Sequence, residues 1–171
     1  MYTKQEGASS IVSIFFKFKV DLNLYYPLAL FSDPSILKDW MPMIQESTLL
    51  RQENFLRKSF QLIMNFPWPF SAREFLLHAS GVLVKERKAV LLINRELTKE
   101  REEMLGLRVP EARENSVRAH LHKNYVYVEQ EDPETTWISV LVNVDPSMSY
   151  IPDFLMNWTV KRVIYMIIGH I

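Results

Sequence analysis

The residues of this chain that could perform chemistry are few, and the most suggestive are three histidines. His120 and His122 are separated by one residue, so both side chains would project from the same face of a strand. That spacing can hold a metal ion, and His78 on another strand could add a third ligand. No carboxylate partner can be located for them, and the alternative is that they pair with neighbours on a partly exposed sheet face. We therefore predict no metal site.

Arg118 lies two residues before His120, on the same face of the same predicted strand. A guanidinium can hold an anionic group through two parallel hydrogen bonds, which would make Arg118 a binding residue. The alternative, which we favour, is a structural salt bridge to Glu74 or Glu129. The charged run at 99–103 is typical of a solvated loop or helix face and not of a general acid–base pair.

The motifs that accompany catalysis are missing. The sequence contains no Gly-x-Ser-x-Gly elbow, Walker loop, Gly-x-Gly-x-x-Gly or His-Glu-x-x-His motif, and it has only 4 glycines. It has no cysteine, which excludes a disulfide framework, a thiolate nucleophile and a cysteine-ligated metal. Its 20 basic residues balance 20 acidic ones, so no net field attracts a nucleic acid. We predict no catalytic residue, no cofactor and no nucleic-acid partner.

The hydrophobic pattern places strands and helices in separate parts of the chain. Alternating apolar and polar residues predict a first strand over Val12–Leu22. Two short helices follow, one at Tyr25–Phe31 and one that Asp33 would cap and Trp40-Met41-Pro42 would end. A meander of about five antiparallel strands then begins near Arg57. The first strand of this meander contains Phe60 and Leu62. The other four are predicted at Phe75–Gly81, Ala89–Leu97, Ser116–Glu129 and Thr135–Val144.

A long irregular segment and a final helix complete the pattern. Thr98–Asn115 is charged, contains Gly106 and Pro110, and has no clean period; loops of this length in compact domains are often functional. From Asp153 to the end, the chain predicts a helix that is apolar on most of its circumference and must be covered on most of it. Strands segregated from helices indicate an α+β fold, in which a curved antiparallel sheet covers this helix. The helix is either simply part of the core, or sheet and helix leave an apolar cavity between them.

No stretch of the chain reaches the ~18 uninterrupted apolar residues that a membrane-spanning helix needs. The nearest candidate, 151–171, is interrupted by charged and polar side chains, namely Asp153, Lys161, Arg162 and His170. The polar segment 1–10 is not a secretory leader, and we expect it to be flexible. The remaining prediction is one domain at 11–171, in a monomeric cytoplasmic protein.

Four short motifs, spread over nearly the whole chain, resemble those of one family. Phe66–Phe75 is similar to the Pro-Trp-Pro corner of the START (StAR-related lipid-transfer) domains, and Val117-Arg118-Ala119-His120 is similar to one of their strand entries. Asp145-Pro146, followed by Ile151-Pro152 and Asn157, resembles the start of their C-terminal helix. Trp40-Met41-Pro42 resembles the end of an earlier helix. The motifs occur in the family's order and together span roughly residues 10 to 171.

This resemblance implies a helix-grip fold, in which a U-shaped antiparallel sheet wraps around a long C-terminal helix and encloses a cavity for one lipid. It also implies that Thr98–Asn115 is a loop that gates the cavity together with the terminal helix. On this basis we expect the cavity to be lined by nine residues, namely Phe60, Leu62, Leu77, Ala79, Leu92, Arg118, His120, Phe154 and Trp158.

One departure from the family concerns polar groups in that cavity. The steroidogenic member has a buried acid–arginine pair, and the corresponding positions fall at Phe60 and Ala79 here. The cavity is therefore expected to be more apolar, and sterol specificity does not carry over.

The function that the resemblance implies is reversible, non-covalent binding of one lipid or similar hydrophobic molecule. Transfer between membranes, with transient contact to a membrane surface, is a further expectation. Two alternatives stay open. One is an interaction or regulatory module that has kept the fold and filled the cavity with side chains. The other is an enzyme of the helix-grip superfamily, which would need convergent polar groups inside the cavity.

Overall fold

A large sheet is the main element of the structure, which is a computed structural model that describes residues 2–5, 11–147 and 152–168. Its strands are β1 (Tyr2–Gln5), β2 (Val12–Val20), β3 (Ile44–Asn54), β4 (Arg57–Met64), β5 (Ala72–Val84), β6 (Ala89–Glu96), β7 (Ser116–Arg118), β8 (His120–Asp132) and β9 (Thr135–Asp145). The order across the sheet is β1-β2-β9-β8-β6-β5-β4-β3. Neighbours in this path are antiparallel, whereas β7 pairs in parallel with the start of β5.

The helical segments of the described residues are few and lie in four places, one of which is a 3-10 turn (Lys85–Arg87) between β5 and β6. Between β2 and β3 the chain forms α1 (Tyr25–Ser32), a 3-10 turn (Pro34–Ile36) and α2 (Leu37–Trp40). A short helix, α3 (Lys99–Leu105), lies between β6 and β7, and α4 (Asp153–Ile168) follows β9. This arrangement is the α+β fold with a large antiparallel sheet that the sequence predicted.

Several elements differ from the expectation. β3 was missed because its residues do not alternate cleanly and most of them are exposed at the edge of the sheet. The strand expected at Ser116–Glu129 is divided into β7 and β8, and α3 occupies part of the segment that was expected to be irregular. α4 is described over 16 residues, and the long helix to the end of the chain that we expected is not confirmed beyond Ile168. Residues 169–171 lie outside the described part.

The N-terminal segment also differs from the expectation. Residues 1–10 were expected to be flexible, but Tyr2–Gln5 pairs with Val12–Phe15 of β2. The free backbone edge of β2 provides this pairing, and the polar side chains of the segment give no pattern that would predict it. Residues 6–10 lie outside the described part.

The core lies on one face of the sheet, where successive inward-facing side chains of neighbouring strands meet. One cluster of buried side chains joins β2, β6, β8 and β9 to α1 and α4 and includes Phe16, Leu28, Leu92, Val128, Ile138 and Leu155. A second cluster joins β4, β5 and β8 to α2 and includes Leu37, Phe60, Leu62, Phe75, Leu77 and Leu121. Burial of these apolar surfaces supplies most of the driving force for the fold.

Asp33 caps the 3-10 turn, as the sequence predicted. Its Oδ1 accepts hydrogen bonds from the Ser35 backbone N (3.0 Å) and from the Ser35 Oγ (2.7 Å), which hold the pKa of Asp33 below its usual value. Asp33→Ala is expected to lower the free energy of unfolding by about 1 kcal/mol, whereas Asp33→Asn keeps an acceptor and should cost a few tenths. Urea denaturation checks this, and equal losses in the two variants would contradict a capping role.

Candidate ligand-binding cavity

A cavity of about 220 Å³ lies inside the fold, among the sheet, the segment that connects α2 to β3, and the start of α4. Inward-facing residues of seven strands line it because side chains alternate between the two faces of a strand. The strand residues with apolar side chains are Val12, Ile14, Phe16, Ile44, Phe60, Leu62, Met64, Phe75, Leu77, Leu121, Val126, Val140, Val142 and Val144. α4 contributes Leu155 and Met156. The cavity is therefore an apolar site.

Three polar side chains interrupt this lining, and two of them contact each other. Asn94 of β6 and Asn124 of β8 lie directly opposite in the antiparallel register, and the Asn94 Nδ2 donates to the Asn124 Oδ1 at 3.3 Å. The third, Thr159 of α4, donates its hydroxyl to the Leu155 backbone carbonyl at 2.9 Å. The Thr159 hydroxyl is thus already bonded within its own helix. The asparagine pair supplies the remaining polar side chains among the described residues that line the cavity. No charged residue is among the described residues that line it.

The start of α4 packs against the corner that connects β4 to β5. The ring of Trp158 meets Phe66 edge-on at a centroid distance of 6.2 Å, and Phe154 meets Phe70 at 5.9 Å. Leu155, on the inward side of the helix, is 3 % exposed. These contacts hold the first turns of α4 over the cavity.

Arg73 fixes the same corner to the end of β9. Its Nε donates to the Pro146 carbonyl and its Nη1 to the Ser71 carbonyl, both at 2.6 Å, and its guanidinium lies over the Phe66 ring. Burial lowers the pKa of Arg73, but an arginine stays charged at any physiological pH. The corner and the chain that leads into α4 therefore form one connected wall of the cavity.

The structure brings three of the nine expected cavity residues into the lining and places six elsewhere. Phe60, Leu62 and Leu77 line the cavity. Leu92 is buried in the packed core, and Ala79 lies beside the second cluster. Phe154 and Trp158 contact the β4–β5 corner. Away from the lining, Arg118 is ion-paired to Glu74, and His120 lies within hydrogen-bond distance of Glu96.

The ion pair of Arg118 is the structural alternative that we favoured from the sequence. Arg118 Nη2 donates to Glu74 Oε1, and the Glu74 carboxylate is fully buried. Gln61, Ser116 and the Arg113 backbone N also donate to this carboxylate. Burial alone would raise the pKa of Glu74, but these hydrogen bonds and the Arg118 charge hold it below its usual value.

These contacts correct the expectation that Thr98–Asn115 gates the cavity. Glu74 follows Arg73 and precedes Phe75, whose ring lines the cavity, so the Glu74 side chain projects from the opposite face of the sheet. Two further contacts hold the segment on that opposite face. Arg113 Nη2 donates to Glu46 Oε1 at 2.5 Å, and Arg51 Nη1 donates to the Leu105 carbonyl. No residue of 97–119 is among the described residues that line the cavity.

The histidines do not converge on a metal site. His120 Nδ1 lies 2.8 Å from Glu96 Oε1, and His78 Nδ1 lies 2.9 Å from the Ser59 hydroxyl. No group of three or more metal-ligating side chains forms among the residues that the structure describes.

None of the helices in the described ranges is long and apolar enough to cross a membrane.

Sequence comparison gives no relatives, whereas comparison of folds does. No protein-family model and no curated protein matches the sequence. The fold is similar to that of human STARD10 (TM-score 0.70, 14% identity, 92% of this chain and 65% of that one). It is also similar to human StAR-related lipid transfer protein 5 (TM-score 0.71, 12% identity, 96% and 81%). A STAR-related lipid transfer protein from Xanthomonas axonopodis gives a TM-score of 0.72 at 19% identity, over 93% and 82% of the two chains.

The chain thus spans somewhat less than two thirds of the STARD10 structure and about four fifths of the other two. Identities of this size establish a shared architecture, and function must be argued from the site. The similarity extends over 92–96% of this chain in all three comparisons. The chain has the fold of a START domain.

Proposed function

We propose that this chain binds a lipid or another hydrophobic small molecule in the cavity, reversibly and without covalent chemistry. The observation that carries the proposal is the 220 Å³ cavity itself, whose lining is apolar apart from Asn94, Asn124 and Thr159. Removing apolar surface from water contributes roughly 25 cal/mol per Å² to the free energy of binding, so such a site favours apolar ligands even where no hydrogen bond forms. The direct contacts to the ligand would come from Phe60, Leu62 and Leu77 together with the other lining residues.

The lining also supports binding over catalysis. An enzyme of this architecture would need acidic, basic or nucleophilic groups that converge inside the cavity. The described residues around this cavity offer two amides and one hydroxyl, and that hydroxyl is bonded to the backbone of its own helix.

Transfer of the ligand between membranes is part of the proposal, and the β4–β5 corner is where we place the exchange. Trp68 at the tip of this corner is 90% exposed, and Phe154 at the start of α4 is 51% exposed. The guanidinium of Arg162 lies over the Trp158 ring on the same helix. Exposed aromatic rings beside a cation suit brief contact with a membrane surface. The proteins with similar folds that carry lipid transfer in their names add support for this choice.

Native mass spectrometry of the protein purified from a eukaryotic host, with extraction and identification of any bound molecule, tests the proposal. We expect one hydrophobic molecule bound per chain. A mass without ligand that persists after incubation with liposomes of mixed lipids, together with failure to bind a small hydrophobic probe such as naphthalene, would contradict the proposal.

That contrary result would favour the second candidate function, an interaction module with a filled interior. One observation supports this candidate: 220 Å³ is below the ~300–1,000 Å³ of common ligand pockets. The phenyl ring of Phe60 is one of the large side chains that line this cavity. The cavity nevertheless remains, so ligand binding is the function that we retain.

Separation of α4 from the β4–β5 corner would set the rate of ligand dissociation. Phe154→Ala removes the ring contact between α4 and Phe70, and such contacts contribute about 0.5–1.5 kcal/mol. If exchange requires α4 to separate from the corner, ligand dissociation should become roughly two- to tenfold faster. Stopped-flow displacement of a bound fluorescent ligand measures this rate. Tyr26→Ala, which removes a 63% exposed ring from α1, is the control and should leave the rate unchanged.

A further inference from the structure

The asparagine pair in the cavity indicates which kind of ligand the cavity accepts. Asn94 and Asn124 are cross-strand partners in β6 and β8, and both line a cavity whose other strand residues are apolar. The hydrophobic effect does not favour two amides at this place, since burying an amide without a partner costs free energy. Both side chains are half-buried and bonded to each other, so a polar atom of a ligand would satisfy the hydrogen-bonding groups that remain.

The bond between the two asparagines leaves most of their hydrogen-bonding capacity for that counterpart. Each amide offers one carbonyl oxygen and two N–H donors. The single contact of 3.3 Å uses one N–H of Asn94 and one lone pair of Asn124. The Asn94 oxygen can still accept, and the Asn124 nitrogen can still donate. A hydroxyl group, which both donates and accepts, matches this combination.

The electrostatics of the lining select against a charged ligand. Arg73 of β5 and Arg118 of β7 are engaged by the Pro146 carbonyl and by Glu74. No charged side chain is among the described lining residues. A carboxylate or phosphate inside the cavity would therefore lose its hydration and gain no counter-charge.

The size of the cavity sets the size of the ligand. A protein cavity of about 150 Å³ is known to hold benzene, which has six heavy atoms. By the same proportion, the cavity of about 220 Å³ here encloses a molecule of roughly nine heavy atoms. Because the cavity is partly open, a molecule with one or two more heavy atoms also fits. Four methionine side chains line it, and methionine adapts to rings and branched hydrocarbons; they are Met41, Met43, Met64 and Met156.

We propose that the ligand is a compact neutral molecule, with a ring or branched hydrocarbon body of about ten heavy atoms and one hydroxyl group held by Asn94 and Asn124. This inference rests on the proposed function, because it names the ligand class of the same cavity. Diacyl lipids, sterols and anionic fatty acids are then not the preferred ligands.

The test uses the full chain and four probes: 2-naphthol, naphthalene, 2-naphthoate and cholesterol, with binding followed by calorimetry or by tryptophan fluorescence at pH 7. We expect 2-naphthol to bind about three- to tenfold more tightly than naphthalene, as one hydrogen bond of ordinary strength provides. 2-Naphthoate should bind more weakly than either, and cholesterol should not bind measurably.

Variants of the pair add a second measurement. In Asn94→Leu/Asn124→Leu, the preference for 2-naphthol over naphthalene should disappear. Asn115→Leu is the matched control and should keep the preference, because Asn115 is exposed and is not among the residues that line the cavity. The comparison of probes on the unmodified protein decides the question even if the double variant does not fold.

The contrary outcomes are distinct. Equal affinity for 2-naphthol and naphthalene, or tighter binding of 2-naphthoate, would overturn the role of the asparagine pair. Tight binding of cholesterol without binding of 2-naphthol would overturn the ligand class and leave the proposed function standing. If none of the four probes binds and no ligand co-purifies, the proposed function itself fails.

Discussion

Glu74→Ala is expected to lower the free energy of unfolding by about 3 kcal/mol, the largest loss that we predict for a single polar residue. The Glu74 carboxylate is fully buried and accepts hydrogen bonds from Gln61, Ser116, the Arg113 backbone and Arg118. Removing it takes this acceptor from all four donors and leaves the Arg118 charge without its carboxylate, although Ser116 Oγ and Arg118 Nη2 keep the Arg113 and Pro110 carbonyls as acceptors. Urea denaturation of the variant measures the loss.

Glu46→Ala is the matched control. Glu46 also pairs with an arginine, Arg113, but both side chains of this pair are well exposed, at 39% and 51%. An exposed pair contributes about 1 kcal/mol or less because solvent screens it. Similar losses in the Glu74 and Glu46 variants would show that the buried network is not the source of the stability.

The low pKa of Glu74 also sets the sign of a pH effect. The pKa of Glu74 is lower in the folded chain than its ordinary value of 4.5. The ionised carboxylate therefore stabilises the fold above pH 4.5, and this stabilisation is lost as the pH falls from 4.5 through the pKa of the folded chain. In Glu74→Gln this part of the pH dependence should be absent. Unfolding curves from pH 6 to about 3 compare the two proteins.

Val142→Phe is expected to abolish ligand binding while changing the free energy of unfolding by less than about 1 kcal/mol. Val142 lines the cavity and lies opposite Asn124 in the register of β8 and β9. The added ring occupies the space that the ligand needs, and an existing void admits it without compressing the core. Calorimetric titration with the ligand and urea denaturation measure the two effects.

The same substitution in a packed position separates a void from ordinary core. Val128 on β8 has no exposed surface and is not among the residues that line the cavity. Val128→Phe should therefore lower the free energy of unfolding by about 1–3 kcal/mol through overpacking. Equal losses for the two phenylalanine variants would mean that the space beside Val142 is already filled.

Much of this fold could be predicted because its central strands alternate clearly. β2, β4 and β9 place apolar residues on one face, so the period of two was visible in the sequence. β3 could not be found in this way, because an edge strand with mostly exposed side chains needs no alternation. β1 gains its structure only from pairing with β2, which local sequence does not encode.

The cavity was predicted in part, for a related reason. Alternation from Phe60 identifies Leu62 as a neighbour on the same face, and both line the cavity. Which end of the inward face is filled by side chains and which is empty depends on the placement of α1 and α4. The strand pattern does not give that placement, and Leu92, which was expected to line the cavity, lies in the packed core. Asn94 and Asn124 were missed, although a polar residue at an inward position of an apolar strand is a signal that could have found them.

The two outer strands of the sheet have a consequence for how copies of this chain meet. β3, at one edge, is 11 residues long, and its pairing with β4 shifts register at three places, between Ile44 and Glu46, Leu49 and Arg51, and Gln52 and Asn54. β1, at the other edge, has 4 residues. A bulged strand and a very short strand are both poor templates for a further strand. The exposed backbone of this sheet is thereby protected from edge-to-edge aggregation, and a concentrated solution of the folded protein should remain free of fibrillar assembly.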